Sequence, residues 1–255
     1  MRKIALATVV ACCWAAAPAS AAPITLDPNR AGAPSQLLVD AQPGDGSGGG
    51  GDVRGVVLSA PRGLKVDPRS RSGRCSPEQA RDFACPESSR IGHGEAKGHA
   101  SGLVVPGGRQ DFTATIDAFL APPQQAGDIA AVVLQVQEPK SGQKGAATGR
   151  LVPAAADGQF GPELRFDDLG GSQPQYPGVT ITVDRITLQV GAKRTVVRKR
   201  RVRRHGRRVT VRKRYRYSLL TNPRNCTQGS WAFRVTTVYA DREEQQDGSI
   251  PCAPR

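Results

Sequence analysis

Apolar and polar residues alternate along most of this chain, and the three-to-four spacing of an amphipathic helix is missing from every long segment. In DFTATIDAFLAP, Phe112, Ala114, Ile116, Ala118 and Leu120 fall on one face of a predicted strand. Strands are also predicted at DIAAVVLQVQEP, GAATGRLVP and GPELRFDDLG. In SWAFRVTTVYADREEQQDGSIPC, Trp231, Phe233, Val235 and Tyr239 share a side, and a turn near Asp241 to Gly248 predicts an antiparallel return. In GVTITVDRITLQV the apolar set shifts from Val179, Ile181 and Val183 to Ile186, Leu188 and Val190. That phase change demands a bulge or bend at Asp184 and Arg185 and suggests a strand passing from one sheet edge or sheet to another. The Gly-rich run Gly44 to Asp52 reads as a loop joining two neighbouring strands rather than a domain linker.

One short helix breaks this pattern. In RCSPEQARDFACP, Ser76 is placed to cap a helix, Pro77 suits its first position and Gln79 completes a capping box. Cys75 and Cys85 flank that element, and chain reversal after Phe83 would bring them within disulfide reach.

The first residues, MRKIALATVVACCWAAAPASAA, combine a basic start, a short apolar run and small residues around Ser20, which predicts a signal peptide over 1–21. VVAC at Val9 to Cys12 offers the alternative of a lipidated Cys12. Export leaves four cysteines in an oxidising compartment. The sequence-local pairing Cys75 to Cys85 and Cys226 to Cys252 is favoured over a zinc site, which would call for C-x-x-C spacing. Only 5% of residues are aromatic, and 29 Gly with 20 Pro suit short strands and many turns. The expectation is an all-β chain: residues 22–255 as a single large antiparallel β-sandwich with one short disulfide-flanked helix and a protruding basic β-hairpin.

The net charge of +14 is local. KRTVVRKRRVRRHGRRVTVRKRYR, Lys193 to Arg216, holds 14 Lys or Arg and no acid, so the rest of the chain sums to zero. His205 and Gly206 read as a two-residue turn, which sets Val202 opposite Val209 and Val196 opposite Tyr215. One side of the hairpin then carries Val196, Val202, Val209, Val211, Tyr215 and Tyr217 among some basic residues. The other carries Lys199, Arg201, Arg203, Arg208, Arg212, Arg214 and Arg216, the candidate anion-binding residues. Partners of matching chemistry are wall polymers, anionic lipid surfaces and extracellular DNA. With Tyr215 and Tyr217 as the aromatics here, base stacking has little support. The blander alternative is a solvated hairpin whose charge keeps an exposed edge from pairing.

Catalytic signals are weak. G-x-S-x-G, H-E-x-x-H and P-loop patterns do not occur. In IGHGEAKGHA, His93, Glu95, Lys97 and His99 lie on one side of a strand, with Gly92, Gly94, Ala96, Gly98 and Ala100 on the other. His93 and His99 are ~20 Å apart on such a strand, too far to share an ion, whereas His93 and Glu95 are ~6.6 Å apart. Glu163 with Asp167 and Asp168 is a further carboxylate set, and Asp45 and Asp52 lack the spacing of a calcium loop. The expectation is a non-enzymatic secreted or envelope-associated module without a cofactor or metal. A cell-wall polysaccharide hydrolase using paired carboxylates and a protein-assembly module are the alternatives.

PRGLKVDP…C…F-x-x-CPESSRIG, Pro61 to Gly92, and LLTNPRNC…W…YAD…PC, Leu219 to Cys252, together with LDPNRAGA at Leu26 to Ala33, resemble a group of secreted proteins of GC-rich actinobacteria. In that group CP-x-S-x-IG and TNP-x-x-C patterns recur. The resemblance implies a β-sandwich surface module and supplies no activity or catalytic residue.

Overall fold

The computed structural model describes residues 24–41, 53–102, 105–155, 158–167, 180–204 and 207–255. The signal peptide predicted over 1–21, Cys12, the Gly44 to Asp52 run with Asp45 and Asp52, Asp168, and the His205-Gly206 turn lie outside the described residues.

The strands are β1 (Ile24–Asp27), β2 (Pro34–Ala41), β3 (Val53–Ser59), β4 (Lys65–Val66), β5 (Arg90–Ser101), β6 (Arg109–Ala121), β7 (Ala130–Gln137), β8 (Lys144–Val152), β9 (Glu163–Phe166), β10 (Thr180–Val190), β11 (Lys193–Arg204), β12 (Arg207–Ser218), β13 (Leu220–Thr221), β14 (Ser230–Tyr239) and β15 (Glu243–Pro251). One helix, α1 (Pro77–Arg81), and short 3-10 turns complete the described elements.

Consecutive strands β5 to β9 form an antiparallel meander, as short connections between alternating segments favour. The sheet continues from β9 through β3, β14 and β15 on one side, and from β5 through β10, β2, β13 and β4 on the other, with β1 added to β2. The β15 end is tied back to the other half of the sheet. The Ala31 amide donates to the Ala253 carbonyl at 2.9 Å and the Ala253 amide to the Asn29 carbonyl at 3.0 Å, carrying the end of β15 onto the loop after β1. One continuous sheet thus curls over a common interior, a sandwich-like all-β architecture.

Leu26, Ile91, Leu120, Trp231, Phe233 and Ile250 meet in that interior. Each fully buried aliphatic or aromatic side chain contributes about 1.5–3 kcal/mol. The predicted inner face of β6 is the buried one, with Ala114, Ile116, Ala118 and Leu120 all covered. Its outer face would be exposed were it not for α1: Ala80, Cys75 and Cys85 cover Phe119, Ala121, Ala131 and Val133 in a second apolar cluster. The buried Gln135 amide donates to the Ala80 carbonyl at 3.0 Å, which fastens the helix to β7. The expected capping box is present, Ser76 Oγ accepting from the Gln79 amide and Gln79 Oε1 from the Ser76 amide. Phe83, at φ +54°, makes the reversal. Both favoured disulfides form, Cys75–Cys85 with a Cα separation of 4.9 Å and Cys226–Cys252 with 6.0 Å.

Asn222 anchors the closure of the sheet. It is 1% exposed, its Nδ2 donates to the Pro28 and Arg30 carbonyls, and its Oδ1 accepts from Ser35 Oγ at 2.5 Å. The LDPNRAGA and TNPRNC segments, far apart in the chain, therefore touch.

Two expectations need correction. The strands flanking the Gly44 to Asp52 run are not neighbours: β2 lies beside β10, and β3 lies between β14 and β9. A Gly-rich composition does not specify strand order, because which apolar faces fit together decides it. The bulge in β10 sits at Asp184, as the phase change demands, but the strand stays in one sheet. Beyond the bulge it gains β2 as a second neighbour, beginning with Ile186 opposite Ala41, and this replaces the expected change of edge.

Candidate anion-binding site

β11 and β12 pair with each other and with no other described strand. The register matches the expected one, with Val202 opposite Val209 and Val196 opposite Tyr215. At 12 residues each, the strands make a ribbon roughly 40 Å long. Lys199 stands opposite Arg212, Arg203 opposite Arg208, Arg198 opposite Lys213 and Arg204 opposite Arg207. Each like-charge pair costs ~0.2–1 kcal/mol, so anions that neutralise the ribbon also stabilise it.

The candidate residues share one face. Lys199, Arg201, Arg212, Arg214 and Arg216 are exposed, and among the described residues none of them has an ion-pair partner. Arg203 and Arg208 belong to this face by register, while their side chains lie outside the described residues. Val197, 54% exposed, sits among these cations opposite Arg214.

The opposite face meets the body at its base. There the 3-10 turn Pro68–Ser70 and the segment through Arg74 approach Arg194, Val196, Arg198 and Tyr217, enclosing a cleft of ≈ 350 Å³. Arg69, Arg71, Ser72 and Arg74 form its other wall, so five arginines and no carboxylate line it. These arginines are not equivalent. Arg69 is held in a two-pronged pair by Asp67, at 2.8 Å for both contacts, and its guanidinium lies 5.1 Å from the Tyr217 ring. That pair lowers the Asp67 carboxyl and raises the Arg69 guanidinium from their ordinary values. Arg74 donates to the Gly73, Pro68 and Arg71 carbonyls, and burial pushes its guanidinium below the usual range. Arg198 lies 5.8 Å and Lys213 5.3 Å from the Tyr215 ring. Arg71 Nε is buried without a hydrogen-bond partner, as is the neighbouring Ser70 Oγ, an unusual state for buried polar atoms.

Sequence reasoning missed this cleft. Its signal was PRSRSGRC, with Arg69, Arg71 and Arg74 just before Cys75, but nothing in that stretch names the ribbon as its spatial neighbour.

The other candidate residues are dispersed or engaged. His93 and Glu95 are exposed on the outer side of β5. Asp117, the cross-strand partner of His93, pairs with Arg90 at 3.3 Å. His99 Nδ1 lies 3.2 Å from Asp184. The opposing small face of β5 is close to its neighbour: a Cβ at Gly94 would stand 2.1 Å from the Thr187 carbonyl oxygen. Glu163 accepts two bonds from Arg165, the shorter at 2.6 Å, and one from Ser59 Oγ at 3.1 Å, while Asp167 is exposed. Among the described residues no three His, Cys, Asp or Glu side chains converge to hold a metal. No described helix is long and apolar enough to cross a membrane. The chain matches no protein-family model, no curated protein and no solved structure, which leaves the arginine ribbon and the cleft at its base as the basis for a functional reading.

Proposed function

We propose that this protein is an exported, envelope-associated binding module, non-enzymatic in action, that docks on anionic polymers or surfaces through its arginine ribbon. The observation that carries this reading is the row of exposed cations from Arg216 to Arg201, without acidic partners among the described residues, on a chain whose remaining residues carry no net positive charge. Guanidinium forks suit phosphate and carboxylate oxygens, and counterion release drives such binding. Retention on cell-wall fractions, DNA and phosphatidylglycerol vesicles tests it. For DNA, six or more neutralised phosphates imply a loss of ~10³-fold or more in affinity between roughly 50 and 200 mM salt. Retention that ignores salt would end the reading.

A further inference from the structure

We infer that the cleft between Arg71 and the base of the ribbon is a discrete phosphate-binding site, so that this protein selects phosphate-bearing ligands over other anions. The inference deepens the reading above and rests on it for the source of the phosphate.

Three observations converge. The cleft wall draws guanidinium groups from two segments more than a hundred residues apart, Arg69 to Arg74 and Arg194 to Arg198, with no carboxylate among its lining. Asp67 neutralises Arg69, and backbone carbonyls accept from both Nη atoms of Arg74, which leaves Arg71, Arg194 and Arg198 as the cations least engaged within the protein. Arg71 lines the cleft, and its Nε is buried without a hydrogen-bond partner among the described residues, so this side chain keeps unused donor capacity.

The geometry favours a tetrahedral oxyanion. Arg71 lines one wall of the cleft, and Arg194 and Arg198 line the other, so a ligand between them meets guanidinium groups on two sides. A planar carboxylate presents two oxygens in one plane, whereas a phosphate presents oxygens to each wall and carries more charge to match. Val196 and the Tyr217 ring complete the lining with apolar surface, fit for the carbon skeleton that bears the phosphate. At ≈ 350 Å³ the space admits a phosphate with a small polyol attached. Arg71 also lines a second depression of ≈ 190 Å³, with Gln36, Glu87, Arg90, His93 and Gln189. Ligand contact at Arg71 is therefore within reach of the outer side of β5.

Calorimetric titration of the full chain with inorganic phosphate, glycerol phosphate and glycerate tests the site, with phosphatidylglycerol vesicles as a separate arm. Glycerol phosphate should bind at least about tenfold more tightly than glycerate, and vesicle binding should compete with it if a lipid headgroup is the source. Arg71→Gln and Arg198→Gln should each weaken glycerol phosphate binding about five- to tenfold, while Arg109→Gln and Arg224→Gln, exposed charges outside both the cleft and the ribbon, leave it within about twofold. Arg198 is exposed, so its variant keeps the test decisive if Arg71→Gln does not fold. Equal affinity for glycerate, or cleft variants that bind as the parent does, overturns the inference while leaving ribbon docking intact. Salt-insensitive polymer retention alongside tight, cleft-dependent glycerol phosphate binding would overturn docking and leave the site standing.

Discussion

The Leu219 amide donates to the Ala192 carbonyl at 2.7 Å, closing the base of the arginine ribbon between two residues that belong to the central core. Both strands of the ribbon, β11 and β12, lie beyond this clasp. The ribbon is thus a local insertion, and the short span that the clasp bridges could be closed by a tight turn. Replacing Lys193 to Arg216 with Asn-Gly should leave the melting temperature within a few degrees of the parent. The same variant should elute from heparin, DNA and wall fractions at low salt. A collapse of the melting transition would show that the ribbon is part of the folding unit, and unchanged retention would assign binding elsewhere.

Charges on the exposed face should act nearly independently, because each side chain reaches a ligand by itself. Arg201→Gln, Arg212→Gln, Arg214→Gln and Arg216→Gln, combined stepwise, should flatten the dependence of log affinity on log salt by about 0.9 per residue on duplex DNA, or about 0.7 on a single strand. Binding isotherms at several salt concentrations measure this slope. An unchanged slope in the fourfold variant would show that these residues do not contact the polymer.

Asn222, just after β13, is joined to the loop after β1 and to the start of β2, through the Pro28 and Arg30 carbonyls and Ser35 Oγ. Asn222→Ala strands those groups in a buried place, at roughly 1–3 kcal/mol for each that finds no other partner. Urea denaturation should give a clearly lower midpoint with an unchanged slope. A variant as stable as the parent would mean that water takes over these contacts.

Acid should loosen the fold partly through Asp128. Its carboxylate is 1% exposed and accepts from Arg150 Nη2 at 2.8 Å and Nε at 3.1 Å, as well as from the Gln125 amide at 3.0 Å. The bonds from Arg150, foremost, hold its pKa below the ordinary carboxylate value. A group whose pKa is lower in the folded state contributes stability above its unfolded value of about 3.9, and that contribution disappears as pH falls through the folded value. Asp40, Asp67 and Asp247, each lowered by an arginine partner, add to the same trend. Asp128→Asn should therefore be less stable than the parent near neutrality and show a shallower loss below about pH 4. Denaturation midpoints from pH 2 to 6 measure the difference, and parallel curves for the two proteins would rule out the assignment.

Much of the local structure was readable beforehand because it depends on near neighbours. Alternation placed β6, β7 and β14, the Ser76 and Gln79 pair announced α1, and the phase shift in the apolar set located the bulge at Asp184. The ribbon register followed from a two-residue turn, since strand pairing beyond such a turn leaves no freedom. The disulfide partners were likewise near one another in sequence.

Strand order, the closure at Asn222 and the cleft beneath the ribbon were not readable. Asn222 and Pro28 are 194 positions apart, and the entropy of closing so long a loop hardly distinguishes one partner from another. By itself, then, the amino-acid sequence determined the strands, the helix, the local cross-links and the charge of one hairpin, all of which follow from short-range periodicity and chemistry. Only the tertiary structure decided that β2 and β3 part company, and that Arg71 and Arg74 face Arg194 and Arg198, because packing of complementary apolar faces selects among contacts that no short window of sequence contains.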